Sequence, residues 1–211
     1  MDGHLFPWEK GIGVPMRCVV ASVAVAALVS SAHAKFITTN DKSVFELLSQ
    51  QGGYSLAAEN FSGFSGFYPT LGGGSGSTAW QASALGGLYV GSGGQLSTNN
   101  ADAALTLTFS SGDVYAVGGN FFLTDINFGF LPGLVQVELA DGSSYIANIQ
   151  SANAFSGFVS LGSAISQITI SPFGIQPNAY VTATNLCLGV VPAPGAVALL
   201  AVAGLASRRR R

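Results

Sequence analysis

The side chains that could carry acid–base chemistry in this chain are its carboxylates. Both histidines, His4 and His33, precede Lys35, so residues 35–190 contain no imidazole. Without an imidazole, this region lacks the base for Ser-His or Cys-His catalysis and the usual zinc ligand. Glu59 and Glu138 could form a glycosidase pair if folding brought them together. No motif places these two glutamates together, and Glu138 falls on the polar face of an alternating segment. We therefore expect a protein that is not an enzyme.

Three aspartates, Asp113, Asp125 and Asp141, lie at predicted turns, where carboxylates can bind calcium. Aspartate is also favoured in turns because its side chain accepts hydrogen bonds from nearby backbone amides. We therefore expect no cofactor, with calcium as the alternative. Cys187 is the one cysteine in residues 35–190 and lies in an apolar stretch. It is expected to be a small buried side chain, with a reactive thiol or an intermolecular disulfide as alternatives.

A group of aromatic residues could offer a platform for a sugar ring. Phe61 to Phe67 forms a short Phe-x-Gly repeat, and Trp80 follows a glycine-rich segment at residues 71–77 that is predicted to be a flexible loop. Tyr68 and Tyr89 extend the set. The alternative is that these rings pack against a sheet. A structure separates the two, because rings exposed in a row would favour glycan contact at residues such as Trp80.

The elements that must position these residues are mostly strands. Residues 40–50 are predicted to form one short helix, with Ser43 and Glu46 as a capping box. Alternating segments then recur at short, regular intervals, and Asp141-Gly142 between two of them indicates a hairpin. The pattern predicts an all-β fold, a β-sandwich of jelly-roll type over residues 35–190.

The net charge of residues 35–190 limits the kinds of partner that this domain is expected to bind. Residues 35–190 contain two lysines, eight acidic residues and no arginine, a net charge of −6, although the whole chain has a formal charge of −2. An acidic domain without a basic patch is not expected to bind nucleic acid.

The N-terminal segment, Met1 to Ala34, has the parts of a signal peptide. Met16-Arg17 begins a basic start, residues 18–28 are apolar, and small residues surround Ala32 and Ala34. We expect signal peptidase to cut between Ala34 and Lys35. Met16 is the expected initiator, with a long n-region as the alternative.

The C-terminal segment, Val191 to Arg211, forms a second targeting signal. It comprises a proline motif (Val191, Pro192, Ala193, Pro194), an apolar run over residues 195–206 predicted to be a transmembrane-like helix, and a basic cluster (Arg208, Arg209, Arg210, Arg211). The arginines would stay on the cytoplasmic side of the membrane. This arrangement resembles a PEP-CTERM sorting signal of Gram-negative bacteria, except that the usual glutamate between the prolines is Ala193.

The resemblance implies transient retention in the inner membrane and processing by an exosortase-like enzyme, followed by display at the cell surface or release. Segments at residues 117–125, 136–143 and 155–160 also resemble a core that recurs in PEP-CTERM proteins. The sequence thus favours an exported surface or extracellular-matrix protein. The alternatives are a carbohydrate-binding module that contacts extracellular polysaccharide and, less favoured, a glycan-active enzyme.

Overall fold

The computed structural model describes residues 36–75 and 78–192, which form a large antiparallel β-sheet with one small helix. The all-β prediction is confirmed at this level. The predicted processing residues Ala32, Ala34, Lys35, Ala193, Pro194 and Arg208 to Arg211 lie outside the described residues. No helix within the described ranges is long and apolar enough to cross a membrane.

The elements follow the chain in this order: β1 (Phe36–Thr39), α1 (Lys42–Gln51), β2 (Ser55–Glu59), β3 (Gly66–Ser75), β4 (Thr78–Val90), β5 (Leu96–Thr98), β6 (Leu105–Phe109), β7 (Val114–Thr124), β8 (Phe130–Leu131), β9 (Gly133–Leu139), β10 (Ser144–Ile149), β11 (Phe155–Ser160), β12 (Gln167–Pro172) and β13 (Tyr180–Val190). The main path through the sheet is β1-β11-β7-β13-β5-β4-β6-β12-β9-β10, while β2, β3 and β8 pair with β13, β4 and β7.

The predicted helix is present, but its cap differs from the prediction. Asp41 is the N-cap, and its Oδ1 accepts hydrogen bonds from the backbone N–H groups of Ser43 at 2.7 Å and Val44 at 3.3 Å. Ser43 therefore lies inside the first turn, and the predicted capping box is wrong. Asp41 is favoured because its short carboxylate reaches the free amides of that turn. Strand β1, which precedes the helix, was not predicted.

The glycine-rich segment predicted as a flexible loop belongs largely to strand β3. Residues 71–75 pair with β4, and Gly73 lies directly opposite Trp80. A Cβ atom at Gly73 would lie 2.4 Å from Trp80 Cζ2, so the glycine leaves the space that the indole occupies. The loop prediction is wrong because cross-strand packing of a neighbouring aromatic ring compensates for the low strand preference of glycine.

The Asp141-Gly142 hairpin is confirmed. Strands β9 and β10 pair with Glu138 opposite Ser144, and Gly142 has φ 84°, which the tight turn requires. The Asp141 carboxylate closes the turn by accepting a hydrogen bond from the Ser143 N–H at 2.9 Å.

The helix packs on paired glycines of the sheet. Gly118 and Gly157 are opposite each other in strands β7 and β11. A Cβ atom at Gly157 would lie 2.7 Å from the ring of Phe45, a residue of the helix. Phe45 also meets the edge of Phe155, with ring centroids 5.3 Å apart. These glycines therefore position the helix, because larger residues would displace its one fully buried aromatic ring.

The two ends of the described chain lie at one end of the sheet. Phe36 in β1 pairs with Ser160 in β11. From there, the pairing of β11 with β7 and of β7 with β13 leads across the sheet to Val114, which is opposite Val190. Val191 follows at once, and its N–H donates to the Asp113 carbonyl at 2.9 Å. Tyr180, at the start of β13, lies at the far end of that strand from Val190, roughly 33 Å along an extended chain.

Candidate binding cleft

The two glutamates weighed as a catalytic pair occupy different surroundings. Glu59 ends strand β2, and its Oε1 accepts a hydrogen bond from the Phe61 N–H at 2.8 Å. Glu138 is exposed on strand β9, as the alternation predicted. Strands β2 and β9 do not pair with each other. The sheet register therefore does not place the two carboxylates side by side.

The three aspartates considered as calcium ligands each bind groups close to their own turns. Asp141 accepts from Ser143, and Asp125 accepts from the N–H groups of Asn127 and Gly129 at 2.8 and 2.7 Å. Asp113 accepts from the hydroxyls of Thr78 and Ser111. Within residues 36–75 and 78–192, no three His, Cys, Asp or Glu side chains cluster as a metal site would require.

Trp80, proposed from the sequence as a glycan contact, lies in the hydrophobic core. Its side chain is 3% exposed, and Phe61 and Phe64 meet it edge-on at 5.4 and 6.1 Å. Its Nε1 has no hydrogen-bond partner among the described residues. The structure corrects the glycan assignment for Trp80, because neither face of the indole is free to meet a sugar ring. The alternative interpretation, packing against the sheet, is confirmed for Phe61 and Phe64.

Other aromatic side chains are exposed, and they lie next to each other. Phe67 in β3 is 55% exposed and is directly opposite Tyr89 in β4, which is 43% exposed. Residues directly opposite on paired strands project from the same face of a sheet. The ring of Phe128, in the β7–β8 connection, lies 6.1 Å from that of Tyr89. We call Phe67, Tyr89 and Phe128 the aromatic row.

A cleft of about 350 Å³ opens beside the aromatic row. Tyr89 and Phe128 line it, together with residues of β5, the position after β5, the β7–β8 connection and β13; these are Ser97, Thr98, Asn99, Asp125, Ile126 and Tyr180. Phe67 does not line the cleft; its ring lies beside Gly87, whose carbonyl accepts a hydrogen bond from the Asn99 N–H. The row and the cleft therefore share Tyr89 and Phe128.

Buried hydroxyl groups lie at the base of this cleft. Thr182 donates to the Ser97 hydroxyl at 3.0 Å, and the Thr182 and Thr124 hydroxyl oxygens are 2.8 Å apart. The Ser97 hydroxyl donates in turn to the Val181 carbonyl at 3.3 Å. The chain of hydrogen bonds satisfies these buried groups and gives the cleft a polar base.

One wall of the cleft contains a strained residue. Phe128 has φ 63°, a left-handed conformation that is rare for a bulky side chain. The neighbouring Asp125 holds this conformation through its hydrogen bonds to Asn127 and Gly129, and its carbonyl accepts from the Phe128 N–H at 3.1 Å. A Cβ atom at Gly91 would lie 3.3 Å from the Phe128 ring, so that glycine gives the ring its place.

A second cleft, of about 390 Å³, is lined mainly by amides and hydroxyls. Asn185 donates through Nδ2 to Asn120 Oδ1 at 2.9 Å, and Asn120 donates to the carbonyls of Asn153 and Ala154. Asn185 has φ 51° at a bulge in β13. These internal bonds satisfy the Asn120 side chain and hold the bulge, which is a structural role for the amides.

Cys187 is buried, as predicted, and packs with Phe45, Ala116, Phe155 and Val159. Burial raises the pKa of its thiol above the ordinary value; the positive charge of Lys42 opposes this shift and the negative charge of Glu46 adds to it. The pKa of Tyr54 is also raised, first by burial and then by the neighbouring Tyr115. Neither group borders the cleft.

Sequence reasoning missed Phe128 and the hydroxyl base of the cleft. Phe128 falls in a connection without alternation, and a positive φ at phenylalanine has no sequence signature. The hydroxyls had a weak signal, because Thr182 and Thr184 alternate with Val181 and Ala183. Neither a protein-family model nor a curated protein sequence matches this chain.

Proposed function

We propose that this chain is an exported, non-enzymatic protein of the cell surface or extracellular matrix of a Gram-negative bacterium. Residues 1–34 would act as a signal peptide, and residues 191–211 as a PEP-CTERM-like sorting tail. Signal peptidase and an exosortase-like enzyme would process the two ends, with the inner membrane as a transient stage. The apolar run that ends in four arginines is the strongest sequence support, because such a run with no polar face partitions into a membrane.

The position of Phe36 and Val190, which lie next to the two proposed processing segments, is the observation that carries this proposal. Phe36 and Val190 lie at the same end of the sheet, three strand steps apart along β1, β11, β7 and β13. Adjacent strands are about 4.8 Å apart, so the two strand ends are separated by roughly 14 Å. The two positions at which the proposed signal peptide and sorting tail adjoin the domain are therefore close together.

The domain itself is proposed to be a β-sandwich of jelly-roll type. The support is a contact between strands that lie far apart in the sheet order. Tyr145 of β10, the last strand of the path, meets the edge of Phe158 in β11, the second strand, with ring centroids 6.1 Å apart. A sheet whose two ends touch must curl over its own apolar face, as the two layers of a sandwich do.

Mass spectrometry of the protein recovered outside the cell tests the sorting proposal. We expect a mature N-terminus at Lys35 and a C-terminus within or shortly after the proline motif. Replacing Arg208 to Arg211 with glutamine should reduce processing, while replacing Gln150, an exposed polar residue of the domain, with alanine should leave it unchanged. Extracellular protein that still carries Arg211 would contradict the proposal.

Carbohydrate binding is the second candidate function. The specific observation in its favour is the aromatic row, in which two exposed rings and one half-buried ring lie beside a polar cleft. A displayed protein with such a surface could hold an extracellular polysaccharide without modifying it. Binding would therefore complement, and not replace, a surface or matrix role.

A further inference from the structure

We propose that the aromatic row and its cleft form a binding site for neutral hexopyranosyl residues of an extracellular polysaccharide. The proposal rests on the exported location proposed above, because that location brings the site into contact with such polymers. It names a site that differs from the Trp80 contact expected from the sequence. Its support comes from the rings, the polar groups and the charge of the site.

The aromatic row offers rings on which a sugar could stack. Phe67 and Tyr89 are directly opposite each other on paired strands, and the Phe128 ring centroid lies 6.1 Å from that of Tyr89, with the two ring planes tilted by 48°. A pyranose ring presents C–H groups on one face, and their partial positive charge is attracted to the negative face of an aromatic ring. Three separate rings therefore offer more than one contact to a polymer.

The polar groups of the cleft are suited to the hydroxyls at the rim of a sugar. Asp125 engages its Oδ1 with two backbone N–H groups, whereas its Oδ2 accepts no hydrogen bond from the other described residues. Asn99 donates through Nδ2 to the Gly86 carbonyl, which leaves its Oδ1 as an acceptor. Tyr180 adds a phenol to the lining. A carboxylate, an amide and a phenol together can accept from and donate to sugar hydroxyls.

The negative charge of the cleft favours a neutral ligand over an anionic one. The Asp125 carboxylate lines the cleft, and no lysine or arginine does so among the described residues. Lys42 lies on the helix, where it is 3.9 Å from Glu46. An anionic polymer would therefore be repelled by Asp125 without a compensating cation, while a neutral polymer would meet only hydrogen-bonding groups and rings.

The conformation of Phe128 is fixed within its own turn. Phe128 has φ 63°, and its N–H donates to the Asp125 carbonyl at 3.1 Å. Tyr180 of the cleft is at the opposite end of β13 from Val190.

Affinity electrophoresis of the full chain in mild detergent tests this proposal. Native gels would contain dextran, a soluble β-glucan or galactomannan as neutral polymers, or alginate as an anionic one. We expect at least one neutral polymer to slow migration and alginate not to do so. Tyr89→Ala and Phe67→Ala should each weaken the retardation by about tenfold or more, because each removes one stacking face.

The matched control is Phe173→Ala, which removes another exposed phenylalanine, 40% exposed, that is not part of the row. It should retain wild-type migration in every gel. Cooperative thermal unfolding of each variant separates lost binding from lost folding. Phe128→Gly removes the third ring of the row and should also weaken the retardation.

Absence of retardation by all three neutral polymers would overturn the proposal, as would retardation by alginate alone or full binding by both Tyr89→Ala and Phe67→Ala. These outcomes leave the sorting proposal intact, because mass spectrometry of the mature ends tests sorting separately. Conversely, an unprocessed tail with normal polysaccharide binding would contradict sorting and support the site.

Discussion

Two regions of this molecule are built from similar parts but differ in exposure. In each, a phenylalanine in the left-handed conformation contacts a second aromatic ring: Phe61 (φ 57°) meets Trp80 at 5.4 Å, and Phe128 (φ 63°) meets Tyr89 at 6.1 Å. The first pair is buried in the core, whereas Tyr89 is 43% exposed. Aromatic composition and backbone strain are thus common to a core cluster and a surface cluster.

Two parts of one strand contain the two rings. Trp80 and Tyr89 both belong to β4, but the register with β3 shifts between them, where Gly86 and Gly87 have φ 81° and 87°. Strict alternation therefore does not extend from Trp80 to Tyr89. Leu88 and Val90, which flank Tyr89, are buried, so the local alternation leaves the Tyr89 side chain on the exposed face. A single strand therefore supplies the centre of the fold and one wall of the cleft.

The largest expected difference between the two regions is in the stability of alanine variants. Trp80→Ala should lower the free energy of unfolding by about 3–5 kcal/mol, because it leaves a cavity between Phe61, Phe64 and Gly73. Tyr89→Ala should change it by less than about 1 kcal/mol, because much of that ring is already in solvent. Urea unfolding followed by circular dichroism measures both values. Equal losses in the two variants would contradict the assignment of Trp80 to the core and Tyr89 to the surface.

Glycine substitutions at the two strained phenylalanines should give the next largest difference. Phe61→Gly should cost about 2–4 kcal/mol, since the loss of a buried ring exceeds the relief of about 1–2 kcal/mol of left-handed strain. Phe128→Gly relieves similar strain while removing a half-buried ring, so its stability should stay within about 1 kcal/mol of the wild type. The same denaturation experiment tests both. A loss at Phe128 as large as that at Phe61 would show that its ring has a structural role instead.

A third comparison uses neighbouring glycines opposite β4. Gly73→Ala places a Cβ atom 2.4 Å from the Trp80 ring, and we expect a loss of about 1–3 kcal/mol from overpacking. Gly74→Ala is the matched control, because the nearest atom to its Cβ is the Thr78 carbonyl oxygen at 3.9 Å. It should be neutral or slightly stabilising. If both variants melt at the same temperature, the indole does not depend on the space at Gly73.

The smallest effect is expected at Cys187. This buried thiol reports whether a substitution in either region unfolds the domain. Its raised pKa means that the unfolded thiol loses its proton at lower pH than the folded one. The contribution of the protonated Cys187 thiol to the stability of the folded state is therefore complete below the pKa of the unfolded thiol, about 8.5. It is lost as pH rises from there toward the pKa of the folded thiol. Stability should fall with pH above about 8.5 in the wild type, and this thiol contribution should be missing from Cys187→Ala.

Reaction of Cys187 with a chromogenic disulfide under mildly alkaline conditions provides the matching kinetic measurement, in chains that carry Cys18→Ala so that Cys187 is the one thiol. The thiol should react slowly in the wild type and in Tyr89→Ala, but quickly in Trp80→Ala, which populates unfolded molecules. Rapid reaction in the folded wild type would show that Cys187 is accessible, in conflict with its burial.

Much of the fold could be predicted because its signals are local. The helix near residues 42–51, the Asp141-Gly142 turn and the alternation around Glu138 each depend on neighbours within a short stretch of chain. The loop prediction failed because a distant partner decides the outcome: residues 71–75 form a strand because β4 pairs with them. The cap prediction failed for a local reason, since the helix already begins at Lys42 and leaves the capping position to Asp41.

The candidate site was less predictable than the fold. Phe67 and Tyr89 were identified as aromatic candidates, but their adjacency depends on the register of β3 and β4, which periodicity does not specify. Phe128 joins them through a connection whose conformation depends on Asp125 and on the space at Gly91. Candidate side chains can be identified from the sequence, whereas the distances between them depend on which strands pair.

The order of residues alone predicts the all-β class, the acidic and histidine-free character of residues 35–190, and the apolar and basic segments near both ends. These properties depend on composition and on contacts between near neighbours. The burial of Trp80, the exposure of Tyr89 and the position of Phe36 and Val190 at one end of the sheet are visible only in the folded domain. Burial and proximity depend on which strands pair and in what register, and that choice minimises the free energy of the whole chain and not of any one segment.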